Sequence, residues 1–195
     1  MIVNQYERDR EILAELTAKA ESYARDTLMR EGRVSQAVIM DTPNGHVMVV
    51  AEEFSDGVVQ DRFGEVASLA CISQRASAVV FVSACWVKLP KEGEELDASK
   101  RASEYPDRQE MLLLKGEAGQ AAEQKLLPMM RSASGKFIGF GNAHNLEVEQ
   151  LQGRVPQILP DWHPSREDQE RARWALYDMA EDAKRERGKQ RGWER

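Results

Sequence analysis

Three residues in the stretch "YPDRQEMLLLK" are of the types that cleave phosphodiesters: Asp107, Glu110 and Lys115. Two carboxylates can hold Mg2+ while a lysine steadies charge on the displaced oxygen. The usual nuclease arrangement sets acid and lysine two residues apart on one strand, so that both side chains share a face. Glu110 and Lys115 are five apart, which places them on opposite faces of a strand. A metal-dependent phosphoester hydrolase or nuclease, with Asp107 and Glu110 as acids and a histidine assisting, is therefore the rival reading and not the first.

Other chemistries find less to work with. The three histidines, His46, His144 and His163, show no spacing that would bring them onto one metal. Cys71 and Cys85 lie in apolar segments with no neighbouring base, so burial should raise their thiol pKa and keep them inert. No Gly-x-Ser-x-Gly elbow is present. "GKFIGFGN" carries glycines but lacks the Gly-Lys-Ser/Thr that opens a helix in a phosphate loop, and it reads as a strand. No cofactor, no metal ligand and no catalytic residue is assigned.

"SEYPDRQE" suits a polar connector entering a strand. Pro106 pushes Tyr105 towards an extended conformation, Asp107 can bond its own backbone in a turn, and Arg108 is within reach of Glu104 or Glu110. Its functional reading is a contact surface: Tyr105, Asp107, Arg108 and Glu110 beside Trp86 of the preceding strand form a polar and aromatic patch suited to binding.

"SAVVFVSACWVKLP", the acidic loop "KEGEELDASKRA" and "SEYPDRQEMLLL" together resemble a group of bacterial and phage-associated proteins of unassigned activity. In these a strand ending in a Ser-Glu-Ala-Trp-like motif precedes a Pro-x-Arg-x-Glu strand. Ser83 and Trp86 match the first motif, with Ala84 where the pattern has glutamate. Pro106, Arg108 and Glu110 match the second. The likeness covers residues 1–150 and implies the order of elements and a bacterial or phage origin. It implies no reaction.

The elements that must position these residues follow from periodicity. Asn4 with Glu7 opens a helix whose stripe runs Ile12, Leu13, Leu16, Ala20, Tyr23, Ala24, Thr27, Leu28, and Gly32 stops it. "TPNG" joins a hairpin, residues 35–40 with 46–51. Val59, Phe63, Val66, Ala67 and Ala70 predict a second helix, with Gly64 costing about 1 kcal/mol inside it. Four strands follow as a meander; the first is apolar on both faces through Trp86 and so belongs at the centre of the sheet. Pro128 in the third predicts an edge or a bulge, and Gly139 and Gly141 in the fourth a bend or a close backbone approach. Ser165 with Asp168 opens the last helix, whose stripe is Ala172, Ala175, Leu176, Met179 and Ala183, with Glu167–Arg171 and Glu181–Arg185 as i,i+4 pairs. The fold class is α+β in the order α-β-β-α-β-β-β-β-α, with a mostly antiparallel sheet and three helices on one of its faces.

A chain of 195 residues is long enough for one domain with its own core, here residues 1–183. Lys184 to Arg195, "KRERGKQRGWER", holds six basic and two acidic residues, a balance of +4 that leaves −10 for the rest of the −6 chain. This tail is expected to be a frayed helix end. An acidic domain disfavours nucleic acid except through that tail, and a nucleic-acid accessory protein using it is the third reading. Two cysteines, no long apolar run and an amphipathic start give a cytoplasmic expectation with no membrane partner. An edge near Pro128 leaves a homodimer open. The leading expectation is a binding or accessory protein of unknown partner.

Overall fold

The computed structural model describes residues 4–51, 57–90, 94–97, 99–146 and 157–192, with side chains for all of these but 57–61, 146 and 186–192. The side chain of Val59 and the expected continuation of the last strand over 147–151 lie outside this set.

Helix α1 (Gln5–Glu31) begins where the Asn4 side chain accepts from the Tyr6 N–H at 3.3 Å, and ends at Gly32, left-handed at φ +73°. Strands β1 (Ala37–Thr42) and β2 (Gly45–Val50) form the hairpin. Its turn is the expected TPNG segment, with the first strand running two residues further, to Thr42, and the second beginning one residue earlier, at Gly45. Pro43 and Asn44 are the central residues, and only Gly45 takes a positive φ, +102°. Thr42 Oγ1 sets the turn by donating to the Gly45 carbonyl at 2.6 Å and accepting from the Asn44 N–H at 3.2 Å. Helix α2 (Gly57–Gln74) runs unbroken through Gly64.

Strands β3 (Ala78–Val87), β4 (Gln109–Ala118) and β5 (Ala121–Arg131) are successive antiparallel neighbours. The expected fourth strand is divided into β6 (Phe137–Phe140) and β7 (His144–Leu146), both paired with β5. The seven-stranded sheet thus runs β2-β1-β3-β4-β5-β6, with β7 beside β5.

Pro128 explains the division. It lies on a strand paired on both sides, not at an edge, and its carbonyl accepts from the Gly141 N–H at 2.8 Å. The side where its own N–H is missing is therefore the side where β6 stops and β7 has not begun. Gly141 fits there because a Cβ would press on Pro128 Cβ at 3.3 Å. The register shift in β5 comes later, between Met130 and Arg131.

The helices do not share one face, as the sequence reading had them. Leu13, Leu16, Ala20, Ala24 and Leu28 of α1 pack on Ala37, Ile39, Val80, Val82, Leu112, Leu114 and Leu127. On the opposite face Phe63, Ala67, Ala70 and Cys71 of α2, with Ile158, cover Val38, Met40, Val79, Phe81, Met111, Leu113 and Leu126. Helix α3 (Arg166–Gly192) opens with the expected cap, Ser165 Oγ to Asp168 Oδ2 at 2.7 Å, and packs mainly on α2. Arg171 pairs with Asp168 at 2.6 Å instead of Glu167, and Glu181 with Lys184 at 2.7 Å instead of Arg185. The backbone is helical to Gly192, well into the basic segment.

A line of polar contacts fastens α1 along β5. Asp9, 4% exposed, accepts from the Gln120 N–H at 3.1 Å in the β4–β5 turn. Thr17 bonds Glu123, Glu21 bonds Lys125 at 2.7 Å, and Arg25 lies over the Phe140 ring at 5.1 Å. Gly119, at φ +47°, has no room for a side chain, because a Cβ would collide with Asp9 Oδ2. Burial raises the Glu21 pKa, but the hydrogen bonds and charges of Lys125 and Arg25 outweigh it and hold the carboxyl below its usual range.

Two outcomes are expected. Gly119→Ala should lower stability by about 2 kcal/mol through strain and collision, and Asp9→Ala by about 1–3 kcal/mol through the orphaned turn N–H; the double variant, in urea melts, should lose less than the sum. Glu21→Gln should be less stable than the parent at pH 7. A depressed carboxyl stabilises above its unfolded pKa and stops doing so as pH falls through the folded one, so the two melting curves should converge below about pH 4.

Candidate functional site

Trp86, Arg108 and Glu110, singled out in the sequence, lie at the end of the sheet that α1 does not reach. Trp86 and Glu110 are register partners on β3 and β4, on the face that α1 covers further along. The helix has ended at Gly32, so Trp86 stays 47% exposed. Burial on both faces of β3 stops at Ser83, three residues before Trp86, where the sequence reading carried it through.

Tyr105 is extended at φ −83° and ψ 135°, as Pro106 requires. Its hydroxyl accepts from the Asp97 N–H at 3.1 Å, which ties the 88–108 connection to its own base. Arg108 donates to the Tyr105 carbonyl at 3.2 Å and lays its guanidinium over the Trp86 ring, 4.8 Å from the centroid. Lys100 lies over the Tyr105 ring at 5.9 Å. Two cations and two aromatic rings thus share one exposed corner.

The acids are used differently. Arg108 pairs with neither Glu104 nor Glu110. Glu110 receives Arg131 in a two-pronged pair at 2.6 and 2.8 Å, and Arg131 also donates to the Gly32 carbonyl at 3.2 Å, closing the end of α1 onto the sheet. Asp107 accepts from Lys88 at 2.9 Å. Lys88 is buried, bonds Glu94 at 2.8 Å as well, and these two hydrogen bonds hold its ammonium pKa above the ordinary value. Lys115 pairs with Glu117 at 2.8 Å. Asp107, Glu110 and Lys115 therefore serve three separate ion pairs. Lys88 and Arg131 were missed because their partners lie 19 and 21 residues away. Alternation along β4 and β5 could have placed Glu110 and Arg131 on one face, but nothing in the sequence marks Lys88.

Among the described residues no group of three or more His, Cys, Asp or Glu side chains is placed to hold a metal ion. His46 sits on the β1–β2 hairpin between Lys19 (2.6 Å) and Asp41 (3.4 Å), His144 is on β7, and His163 is at the opposite end of the sheet from Trp86. Burial pushes the Cys71 thiol up to about 12 and the Cys85 thiol up to about 11, with Glu117 adding to the first.

No protein-family model matches the chain, and no curated protein or solved structure matches it. The site must be read from its own geometry.

A second concavity, which the sequence reading did not find, lies at the other end of the sheet. The first turns of α1, the β4–β5 turn, the entry to β3 and residues 159–164 enclose a cleft of about 680 Å³. Its walls include Arg8, Asp9, Asp41, Arg75, Trp162 and His163. The sequence offered no local signal, because these residues come from five separate segments.

With the thiol pKa values this high, less than about a hundredth of either cysteine is thiolate at pH 8. Iodoacetamide at pH 8 should leave both unmodified in the native protein, and both should label in urea. Fast native labelling of Cys85 at that pH would contradict the burial.

Proposed function

We propose that this chain is a binding protein, an accessory or regulatory factor of a bacterium or its phage, acting in the cytoplasm through the corner centred on Trp86 and Arg108. One observation carries the reading: an exposed indole bears a stacked guanidinium, beside a tyrosine held by its own loop. Trp, Tyr and Arg are the side chains that concentrate energy in protein interfaces. Here they are ordered before any partner arrives, which lowers the entropy cost of association. The guanidinium edge and Lys100 suit a protein partner that brings a carboxylate next to an apolar side chain.

The hydrolase reading has less support. Its two acids are each engaged by a different cation, and displacing Lys88 or Arg131 would leave a charge unpaired at the sheet end. No helix among the described residues is long and apolar enough to cross a membrane.

Quantitative affinity capture from the native host with the parent, Trp86→Ala and Arg108→Ala tests the proposal. Each variant should recover the specific partner at least about tenfold less well, while the melting temperature stays within about 2 °C. Equal recovery by all three sinks it. So would metal-dependent phosphoester turnover that Asp107→Ala abolishes, or salt-sensitive nucleic-acid binding lost on removing residues 184–195.

A further inference from the structure

The cleft at the far end of the sheet has charges left over. Asp9 is spent on the Gln5 side chain at 2.7 Å and the Gln120 N–H at 3.1 Å. Asp41 accepts from Ser77 Oγ at 2.5 Å and lies 3.4 Å from His46. The two arginines of the same cleft, Arg8 and Arg75, make no ion pair with any described residue, and Asp161 at the rim is likewise unpaired. Trp162 forms part of the wall and is 53% exposed.

Arg75 carries a second, independent sign. It is the non-glycine residue with a positive φ, +56°, among the described residues. It ends α2, where the Ala76 N–H returns to the Cys71 carbonyl at 2.9 Å. Glycine takes this conformation freely, while a residue with a Cβ costs about 1 kcal/mol. Nothing in the helix ending requires a guanidinium. A positive φ on a non-glycine residue that lines a cleft is a reason to look for a ligand there.

We propose that this cleft binds a nucleoside monophosphate. Arg8 and Arg75 take the phosphoryl oxygens, where paired N–H donors match the geometry of the anion. The first turn of α1 adds the positive end of its dipole. Trp162 stacks on the base, and Asp161 accepts from sugar hydroxyls or an exocyclic amine. The volume is that of a small-ligand pocket. The walls hold two guanidinium groups against three carboxylates, so one phosphoryl group is the most they can take, and it must sit against Arg8 and Arg75 and away from Asp9 and Asp41.

Calorimetric titration of the full chain with the 5′-monophosphates of adenosine, guanosine, cytidine and uridine tests this. At least one should bind, with the free nucleoside and inorganic phosphate each at least about tenfold weaker. Arg75→Gly is the decisive variant, since glycine relieves the strain: its melting temperature should hold or rise while affinity falls at least about tenfold. Arg8→Gln should weaken binding similarly, and Trp162→Phe should remove the fluorescence change on binding. No heat with any of the four at about 1 mM overturns the proposal. So does full affinity in Arg75→Gly, or inorganic phosphate binding as tightly as the nucleotide.

Discussion

The central ribbons β3 and β4 must be covered on both faces at once. Every residue from Ala78 to Ser83 and from Met111 to Leu114 is buried, so neither face of the sheet centre can meet water. A helix covers only the length it spans. Helix α1 shields one face and α2 the other, and the sheet outruns α1 past Gly32. On the central strands themselves exposure is therefore confined towards the two ends. One end carries Trp86 and Arg108, and the other carries the cleft beside Asp9 and Arg75.

The two coverings are held by different physics. Helix α1 combines buried leucines, worth roughly 2 kcal/mol each, with the polar line from Asp9 to Lys125 that fixes its register along β5. Apolar contact alone tolerates sliding, whereas a carboxylate bonded to a turn N–H does not. Gly116 lets α1 sit this close, since a Cβ there would meet Leu13 Cδ2 at 3.0 Å. Helix α2 rests on Phe63, small side chains and Cys71, and is covered in turn by α3 through Ala172 and Leu176. α3 leaves Trp174 and Tyr177, an edge-to-face pair, in solvent.

The parts legible in the sequence were those written locally. Asn4 and Gly32 bound α1, Ser165 and Asp168 open α3, and the unbroken apolar run of β3 announces a central strand. The TPNG turn forms where expected, but with Pro43-Asn44 at its centre positive φ falls to Gly45 and not to Asn44, an arrangement held by Thr42 Oγ1. The helices were put on one face because alternation shows that a strand has two apolar sides, but not which helix takes which. Around the site, Arg108 lies over the Trp86 ring and donates to the Tyr105 carbonyl. The partners of Asp107 and Glu110 needed sheet register to be seen. The cleft, assembled from five segments, was beyond any local pattern.

The engagement of those two acids changes what the corner can do. A free Asp107 and Glu110 would have made it a place for a cation. With Lys88 and Arg131 drawn in, their charges are offset and their geometry fixed, and the uncommitted edge of Arg108 becomes the polar feature on display. Stacking on Trp86 holds that guanidinium flat without consuming its outer donors. The same logic, reversed, governs the far end, where Asp9 and Asp41 are spent on the fold and Arg8 and Arg75 are not. At both ends most of the carboxylates build the structure, while Arg108 at one and Arg8 and Arg75 at the other are held in no ion pair with a described residue.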